Sequence, residues 1–218
     1  PPEEITGADQ IVASSAVGVA AYVRSCGGAA HDLGIAGDTP EALARAFDAA
    51  SAIGADILVT LGGASVGDHD LVGAVLRERG MTLDFWRIAM RPGKPLMFGR
   101  LPTGGRSVAV LGLPGNPVSS LVCTILFLRP LIDALLGRLP SDIEENAVLA
   151  VDVPENDSRR DYVRATLRSG AGLPEVTPLP VQDSSMLSTL AVADCLLIRE
   201  VRAPAAAAGT PCRIIRLP

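Results

Sequence analysis

The sequence is poor in aromatic residues and in lysine. Phe, Trp and Tyr together make up 3% of its 218 residues, so its hydrophobic core must be built from aliphatic side chains. Lys94 is the only lysine among the 19 Lys and Arg residues. The formal net charge is -5, which argues against a nucleic-acid-binding protein, because such proteins are usually basic overall.

The sequence also lacks an uninterrupted apolar run of membrane-spanning length. Val118–Leu136 is the longest strongly apolar stretch, but Arg129, Pro130 and Asp133 interrupt it. It therefore predicts a buried helix and no contact with a membrane. No signal peptide is recognisable, and because the first residue is Pro1, the chain is expected to begin inside a longer protein.

Recognisable cysteine motifs are missing as well. The spacing of the four cysteines matches no zinc or redox site. Apolar or small neighbours surround Cys26, Cys123 and Cys195, which favours reduced thiols in the core of a cytoplasmic protein.

Helix and strand patterns alternate through residues 1–140. Unbroken apolar runs predict buried strands at Asp56–Leu61 and Ser107–Leu113. Further strands are predicted at Ala29–Ile35, Leu83–Ala89 and Pro95–Phe98, and helices at Ile11–Ser25, Asp38–Ile53, Asp68–Arg79 and Val118–Leu136. This alternation predicts an α/β domain with a mostly parallel sheet and helices on both faces, a three-layer arrangement.

The pattern changes after Gly137–Asn146, where short β-like runs are separated by prolines and turn residues. These runs are Val148–Val153, Tyr162–Leu167, Ala193–Val201 and Cys212–Leu217. They predict a small all-β domain over residues 141–218.

Two loops of the α/β domain follow predicted strands. Because ligands of such sheets bind beyond the carboxyl ends of the strands, Gly62–Gly67 and Pro114–Pro117 are expected at the ligand edge. The glycines of the first loop let backbone N–H groups approach a phosphate, and Ser65 adds a hydroxyl. The segment matches neither a Walker loop nor a G-x-G-x-x-G fingerprint.

Single residues near these loops have two interpretations each. Asp38 and Asp68 suit helix capping, and Asp70 suits an ordinary acidic first turn. Alternatively, Asp38 and Asp70 supply carboxylate oxygens for a divalent metal such as Mg²⁺. Asn116 precedes a proline and either caps the next helix or contacts a ligand.

The segment Phe85–Arg106 is basic in an acidic chain. It contains five basic residues and no acidic residue, and such a concentration of charge indicates an anion site. Pro92 and Pro95 stiffen the backbone on both sides of Lys94. An ordinary solvated basic loop is the alternative.

In order and spacing, these segments together resemble the molybdopterin molybdenumtransferase family, to which MoeA and gephyrin belong. The matching segments are Leu33–Asp38, Gly62–Asp70, Phe85-Trp86, Arg91–Pro95 and Gly112–Ser119. The resemblance extends from about Asp9 to the end of the chain and is looser after Leu139. It corresponds to the C-terminal half of a family member.

The resemblance implies a domain like that of the MogA-type adenylyltransferases, followed by the small β domain. It implies a reaction in which molybdate displaces AMP from adenylylated molybdopterin, and a homodimer in the full-length protein. The N-terminal domains that help to form the dimer have no counterpart in this chain. An adenylyltransferase and a non-catalytic, gephyrin-like scaffold are the alternative functions.

The resemblance also implies roles for individual residues. The residues expected at the pterin nucleotide are Gly62, Gly63, Ser65, Gly67, Asp68 and Asn116. Molybdate is expected at Arg87, Arg91, Lys94, Arg164 and Ser184. The residues expected to act in catalysis are Asp38, Asp70 and Lys94, the two carboxylates through Mg²⁺. Many relatives carry lysine where Arg87 and Arg91 stand, so the charge is kept but the donor geometry differs.

Overall fold

The computed structural model describes residues 15–63, 71–139, 142–169 and 172–218. The chain divides into two compact units, and the second consists of Ala89–Lys94 and Leu139–Pro218. The segment Ala89–Lys94, which the sequence assigned to the α/β domain, therefore belongs to the C-terminal unit.

The first unit contains most of the helices. They are α1 (Ser15–Ser25), α2 (Pro40–Ala52), α3 (Leu71–Glu78), α4 (Pro117–Cys123) and α5 (Arg129–Leu135). Its strands are β1 (Ile57–Leu61), β2 (Thr82–Trp86), β4 (Met97–Thr103) and β5 (Arg106–Leu113), and β3 (Met90–Arg91) lies in the second unit. Side chains of α2, α3, β1, β4 and β5 share one mostly aliphatic core that includes Leu76, Val110 and the aromatic Phe47.

The sheet of the first unit is mixed, so the prediction of a mostly parallel sheet is wrong. Its order is β1-β5-β4-β2, and among the described residues of this sheet only β1 and β5 pair in parallel. The tight turn at Gly104-Gly105, with φ of 55° and 82°, joins β4 directly to β5. Such a short connection produces an antiparallel hairpin, because a parallel pair needs a long crossover.

No strand forms at Ala29–Ile35, contrary to the prediction. The Asp32 carboxylate accepts a hydrogen bond from the Gly34 N–H at 2.9 Å, and Gly34 has a φ of 76°. A local turn of this kind competes with strand pairing for the backbone.

The predicted long helix forms over Pro117–Leu135 but is interrupted by a π-helical turn at Thr124–Leu128. Pro130 has no N–H, and the Arg129 N–H bonds to the Thr124 carbonyl five residues earlier. A proline removes an intrahelical hydrogen bond and disturbs the helix around it, and π-helical geometry occurs mostly as single turns of this kind within α-helices. By length and apolarity the helix could cross a membrane, but core helices of soluble proteins pass the same test, and half of it is buried within the protein.

The second unit is a small closed barrel with one short helix, α6 (Leu187–Ala191). Its strands are β6 (Glu144–Leu149), β7 (Arg160–Arg168), β8 (Glu175–Pro178), β9 (Cys195–Arg199) and β10 (Pro211–Arg216). Pairing runs β7-β8-β6-β10-β9 and closes from β9 back to β7. The short strand β3 adds to β7 in parallel. Neither β8, which is flanked by prolines, nor α6 was predicted.

Candidate functional site

The start of the glycine-rich loop and the Pro114–Pro117 turn lie beside each other, as the sequence predicted. The parallel register ends at Leu61 and Leu113, and the Gly62 N–H donates to the Leu113 carbonyl at 3.0 Å. Gly63 has a φ of 72°, and a Cβ there would lie 2.4 Å from Cγ2 of Val72. Only glycine fits this backbone, which explains the residue type at the entrance of the loop.

Most of the predicted nucleotide loop lies outside the described residues. This applies to Ser65, Gly67, Asp68 and Asp70. Their roles at a pterin nucleotide or a metal ion therefore stay predictions.

Asp38 does not cap the helix that follows it. Thr39 is the N-cap of α2, and its hydroxyl accepts from the Ala42 N–H at 3.2 Å. The Asp38 side chain is exposed and makes no hydrogen bond or ion pair with the described residues. The capping interpretation of Asp38 is therefore wrong, and its carboxylate is accessible to a ligand.

Asn116 occupies the N-cap position of α4 without making a side-chain capping hydrogen bond. Its backbone carbonyl accepts from the Ser120 N–H at 2.9 Å. Asn116 takes part in further interactions, so the structure excludes only the capping role of its side chain.

The described residues do not by themselves make a magnesium site. No group of three His, Cys, Asp or Glu side chains suited to a metal is found among them. Asp38 is a single exposed carboxylate, whereas Mg²⁺ requires near-octahedral oxygen coordination, completed in part by water and substrate.

Arg87 has an unusual backbone and a partner for its charge. Its φ is 69°, in a region that non-glycine residues rarely occupy, and its N–H donates to the Leu96 carbonyl at 2.9 Å. The guanidinium lies 4.4 Å from the centre of the Trp86 ring. Strained residues of this kind concentrate at functional sites, and stacking leaves the edge of the guanidinium available to an anion.

Arg91 is paired with carboxylates of its own unit. Its Nε donates to Oδ2 of Asp161 at 3.0 Å, one terminal nitrogen donates to the same oxygen, and the other donates to Asp157 at 3.2 Å. Hydrogen bonding to Asp161 raises the pKa of Arg91 further. The charge of Arg91 is thus already balanced by carboxylates, which weakens its assignment as a direct molybdate ligand.

Lys94 differs from Arg91 in this respect. It is exposed and makes no ion pair or hydrogen bond with the described residues. It follows Gly93, which is buried and has a φ of 115°. Within Ala89–Lys94, Lys94 is therefore the cation that can meet an incoming anion.

Arg164 is the most buried charged side chain among the described residues. It is 1% exposed, its Nη1 donates to the Asp183 carbonyl at 3.1 Å, and its Nε has no partner in the described protein. Burial lowers the pKa of this guanidinium. Ser184 is half-buried and directly follows Asp183 in the loop before α6. The structure therefore brings together the two barrel residues that the resemblance placed at molybdate.

Comparison with known proteins covers both units. Residues 3–134 match the family described as "Probable molybdopterin binding domain", and residues 146–217 match "MoeA C-terminal region (domain IV)". The chain belongs to the MoeA family of molybdopterin-binding proteins.

Among the family's curated members, the Molybdopterin molybdenumtransferase of Haemophilus influenzae is 34% identical over 172 residues, which cover 78% of this chain and 41% of that protein. The protein of the same name from a Nostoc species is 41% identical over 128 residues, covering 59% of this chain and 29% of the relative. A molybdopterin biosynthesis MoeA protein from Pyrococcus horikoshii has a crystal structure that superposes with a TM-score of 0.81 at 25% identity, covering 99% of this chain and 51% of that one. The chain thus spans about half or less of the length of these family members.

Three polar residues that bond to Arg91 or Arg164 were not found from the sequence. They are Asp161, Gln182 and Asp183. Asp161 is 5% exposed and pairs with Arg91, 70 positions earlier in the chain. Gln182 and Asp183 lie within two positions of Ser184, and this closeness in the sequence could have drawn attention to them. Their partner, however, is Arg164, which lies 18 and 19 positions earlier in the chain.

Proposed function

We propose that this chain carries the substrate-binding half of a molybdopterin molybdenumtransferase, which inserts molybdate into adenylylated molybdopterin with release of AMP. Family membership supports this activity, and so does the name of the curated relatives. The activity belongs to a protein longer than this chain, because the relatives extend well beyond the matched region.

The observation that carries the proposal is the burial of Arg164. A buried cation is costly unless an anion or several hydrogen bonds compensate it. Among the described residues the Arg164 guanidinium donates to one backbone carbonyl, that of Asp183, and its Nε has no hydrogen-bond partner. A dianion such as molybdate would supply an acceptor for Nε, and negative charge in addition to that of the Asp183 carboxylate, which interacts with Arg164 electrostatically.

Lys94 is the second cation of the proposed molybdate site. Its ammonium is accessible, and a flexible lysine can follow an oxyanion through a reaction more readily than a paired arginine. Arg87 belongs to the first unit, and its expected role at molybdate stays a separate prediction, supported by its strained position beside Trp86. Arg91 contributes mainly by holding its segment, because its donors are engaged by Asp161 and Asp157.

The pterin nucleotide is proposed to bind at the carboxyl edge of β1 and β5. Gly62 and Gly63 begin this binding loop, and Asn116 stands at the start of α4 across from them. Ser65, Gly67 and Asp68 continue the proposed loop. Backbone N–H groups in glycine-rich turns before a helix suit a phosphate.

The chemistry joins two anions, molybdate and the phosphate that leaves with AMP. Fixed positive charge lowers the repulsion between them and stabilises charge that develops as the phosphate leaves. In the proposed site Arg164 and Lys94 supply this charge, and Ser184 donates a hydrogen bond. Magnesium held by Asp38 and Asp70 remains a part of the proposal.

Two properties of the whole protein are also proposed. The full-length protein is expected to be a homodimer, and its location is expected to be cytoplasmic. Neither a nucleic acid nor a membrane is expected as a partner.

The proposal is tested by replacing Arg164 in the full-length protein. Arg164→Ala is expected to weaken molybdate binding at least tenfold, because a charge-assisted hydrogen bond contributes about 1.5–3 kcal/mol. Arg168→Ala is the matched control, since Arg168 lies on the same strand, is exposed and pairs with Glu175. Binding is measured by calorimetry with sodium molybdate, and insertion by the metal content of the product. Equal losses in both variants would contradict the proposed site.

A further inference from the structure

The side chain of Gln182 bonds to the backbone of Arg164 on both sides. Its Oε1 accepts from the Arg164 N–H at 3.0 Å, and its Nε2 donates to the Arg164 carbonyl at 3.0 Å. The same Nε2 also donates to the Leu179 carbonyl at 2.8 Å. One amide therefore ties the loop after β8 to a single residue of β7.

These bonds replace a missing strand partner. The ladder between β7 and β8 ends at Ala165 and Pro178. At the next position of β7, the N–H and the carbonyl of Arg164 also bond on the β8 side. The N–H donates to Oε1 of Gln182, and the carbonyl accepts from the Leu179 N–H and from Nε2 of Gln182. The amide of Gln182 thus imitates the peptide group of a strand.

The next residue of the loop also holds Arg164, through its guanidinium. The Asp183 carbonyl accepts from Nη1 of Arg164 at 3.1 Å. The Asp183 carboxylate accepts from the N–H and the hydroxyl of Ser185 at 2.8 and 2.7 Å, which fixes the turn around Ser184. The loop from Gln182 to Ser185 is therefore attached to both the backbone and the side chain of Arg164.

We infer that Gln182 is a positioning residue for the oxyanion site. It holds the loop that carries Ser184 against Arg164, so that the serine hydroxyl and the guanidinium are in place before molybdate arrives. This inference rests on the proposed function, because it takes Arg164 and Ser184 as molybdate ligands. Gln182 itself does not contact molybdate.

The physical reason is the cost of organising the site. A loop without a strand partner samples many conformations, and binding to a disordered site must overcome that entropy. Gln182 is exposed, so it contributes little to the hydrophobic core. Its effect is expected to fall on the geometry of the site more than on the stability of the barrel.

The test compares Gln182→Met with Val181→Ala in the 218-residue chain. Methionine keeps the length and neutrality of the side chain but cannot bond to Arg164, and Val181 is an exposed neighbour that serves as the control. Calorimetric titration with sodium molybdate should show about a tenfold loss of affinity for Gln182→Met, the size seen when residues supporting a ligand are removed. Val181→Ala should bind as the unaltered chain does.

Two further readouts separate positioning from general destabilisation. The Tm of Gln182→Met should fall, because the Arg164 N–H loses its acceptor, but its affinity for adenylylated molybdopterin should be unchanged. In the double variant with Ser184→Ala, Gln182→Met should cause a smaller additional loss of molybdate binding than it does alone, because Gln182 acts by holding the loop that carries Ser184. If Gln182→Met proves unstable, Gln182→Asn keeps the amide and shortens its reach by one methylene group.

The possible failures are distinguishable. If Gln182→Met binds molybdate normally while Arg164→Ala does not, the positioning role is wrong and the proposed function stands. If Arg164→Ala and Ser184→Ala both bind molybdate normally, the barrel site itself is wrong, and the inference falls with it.

Discussion

Arg91 and Asp161 form an ion pair in which two guanidinium nitrogens donate to a single carboxylate oxygen. The Asp161 side chain is 7% exposed and the Arg91 side chain 47%. The pair coincides with the parallel pairing of β3 and β7, in which Arg91 stands opposite Asp161. It therefore attaches the basic segment Ala89–Lys94 to the barrel.

The first prediction concerns the stability of this attachment. Asp161→Asn should lower the free energy of unfolding by about 1–2 kcal/mol, because the charged hydrogen bonds from Arg91 are weakened. The effect is near the low end for such bonds, because the half-exposed Arg91 guanidinium can be hydrated instead. Denaturation in urea measures this change. Asp157→Asn is the control and should have little effect, since Asp157 is exposed. A larger effect for Asp157→Asn would mean that the exposed contact dominates.

The second prediction distinguishes a role of Lys94 in molybdate binding from a role of Arg91 in stability. Lys94→Ala should weaken molybdate binding by about 1.5–3 kcal/mol and leave the fold intact, because an accessible cation loses its contact with the anion. Arg91→Ala should reduce stability more than Lys94→Ala does, because Arg91 is already paired. Calorimetry with molybdate and thermal unfolding measure the two effects.

Lys94→Arg provides the control for charge in this second experiment. It should retain much of the affinity for molybdate if charge alone matters, and less if the compact ammonium is required. Unchanged binding in Lys94→Ala would show that Lys94 belongs to a solvated loop.

The third prediction concerns the entrance of the glycine-rich loop. Gly63→Ala should cost about 1–2 kcal/mol for the left-handed backbone and roughly another 1–3 kcal/mol for overpacking against Val72. Gly104→Ala has the same backbone problem, with a φ of 55°, but nothing within 4 Å of its new Cβ. Urea denaturation of the two variants should therefore differ by the overpacking cost.

A second substitution tests the cause of that difference. Combined with Gly63→Ala, the substitution Val72→Ala should restore part of the lost stability, because it removes Cγ2 of Val72, the atom that a Cβ at position 63 would approach to 2.4 Å. The absence of any relief would point to the backbone conformation as the whole effect.

The fourth prediction concerns stability at alkaline pH. Burial raises the pKa of Cys123 from its ordinary value of 9.0 to about 12. Below pH 9 the Cys123 thiol is protonated in both the folded and the unfolded protein, so its ionisation does not reduce the free energy of unfolding. Between pH 9 and 12 the unfolded chain ionises first, and stability is lost as the pH rises.

Chemical denaturation at pH 8 and pH 10.5 measures this dependence. Cys123→Ala should show a smaller loss of stability between the two values than the unaltered chain, although Cys195 and Cys212, whose pKa values are raised to about 12 and about 11, keep part of the dependence. Identical pH dependence in both proteins would show that Cys123 does not contribute.

Much of this fold was predictable because local patterns agree with it. The runs around β1 and β5 are apolar without a break, and both form buried or half-buried strands. The glycines at positions 62 and 63 and the turn at Pro114–Pro117 follow these strands, so their meeting at one edge was predictable. The order of the family motifs along the chain was enough to identify the family.

Other features depended on the tertiary structure. Whether β4 and β5 run parallel or antiparallel depends on the length of their connection, and the apolar alternation does not encode it. The assignment of Ala89–Lys94 to the barrel follows from pairing with residues about 70 positions later. Such long-range pairing leaves no local pattern in either segment.

The sequence by itself determined which residues carry charge and where glycine and proline shape the loops, because these are properties of single residues and their neighbours. Only the tertiary structure decided which of those charges are already balanced. Arg91 and Arg164 both have apolar neighbours in the sequence. In the structure Arg91 bonds to two carboxylates, whereas the Arg164 guanidinium bonds to the Asp183 backbone carbonyl and interacts with the Asp183 carboxylate only electrostatically. That difference arises from burial and from partners distant in the chain, which together set the cost of each charge.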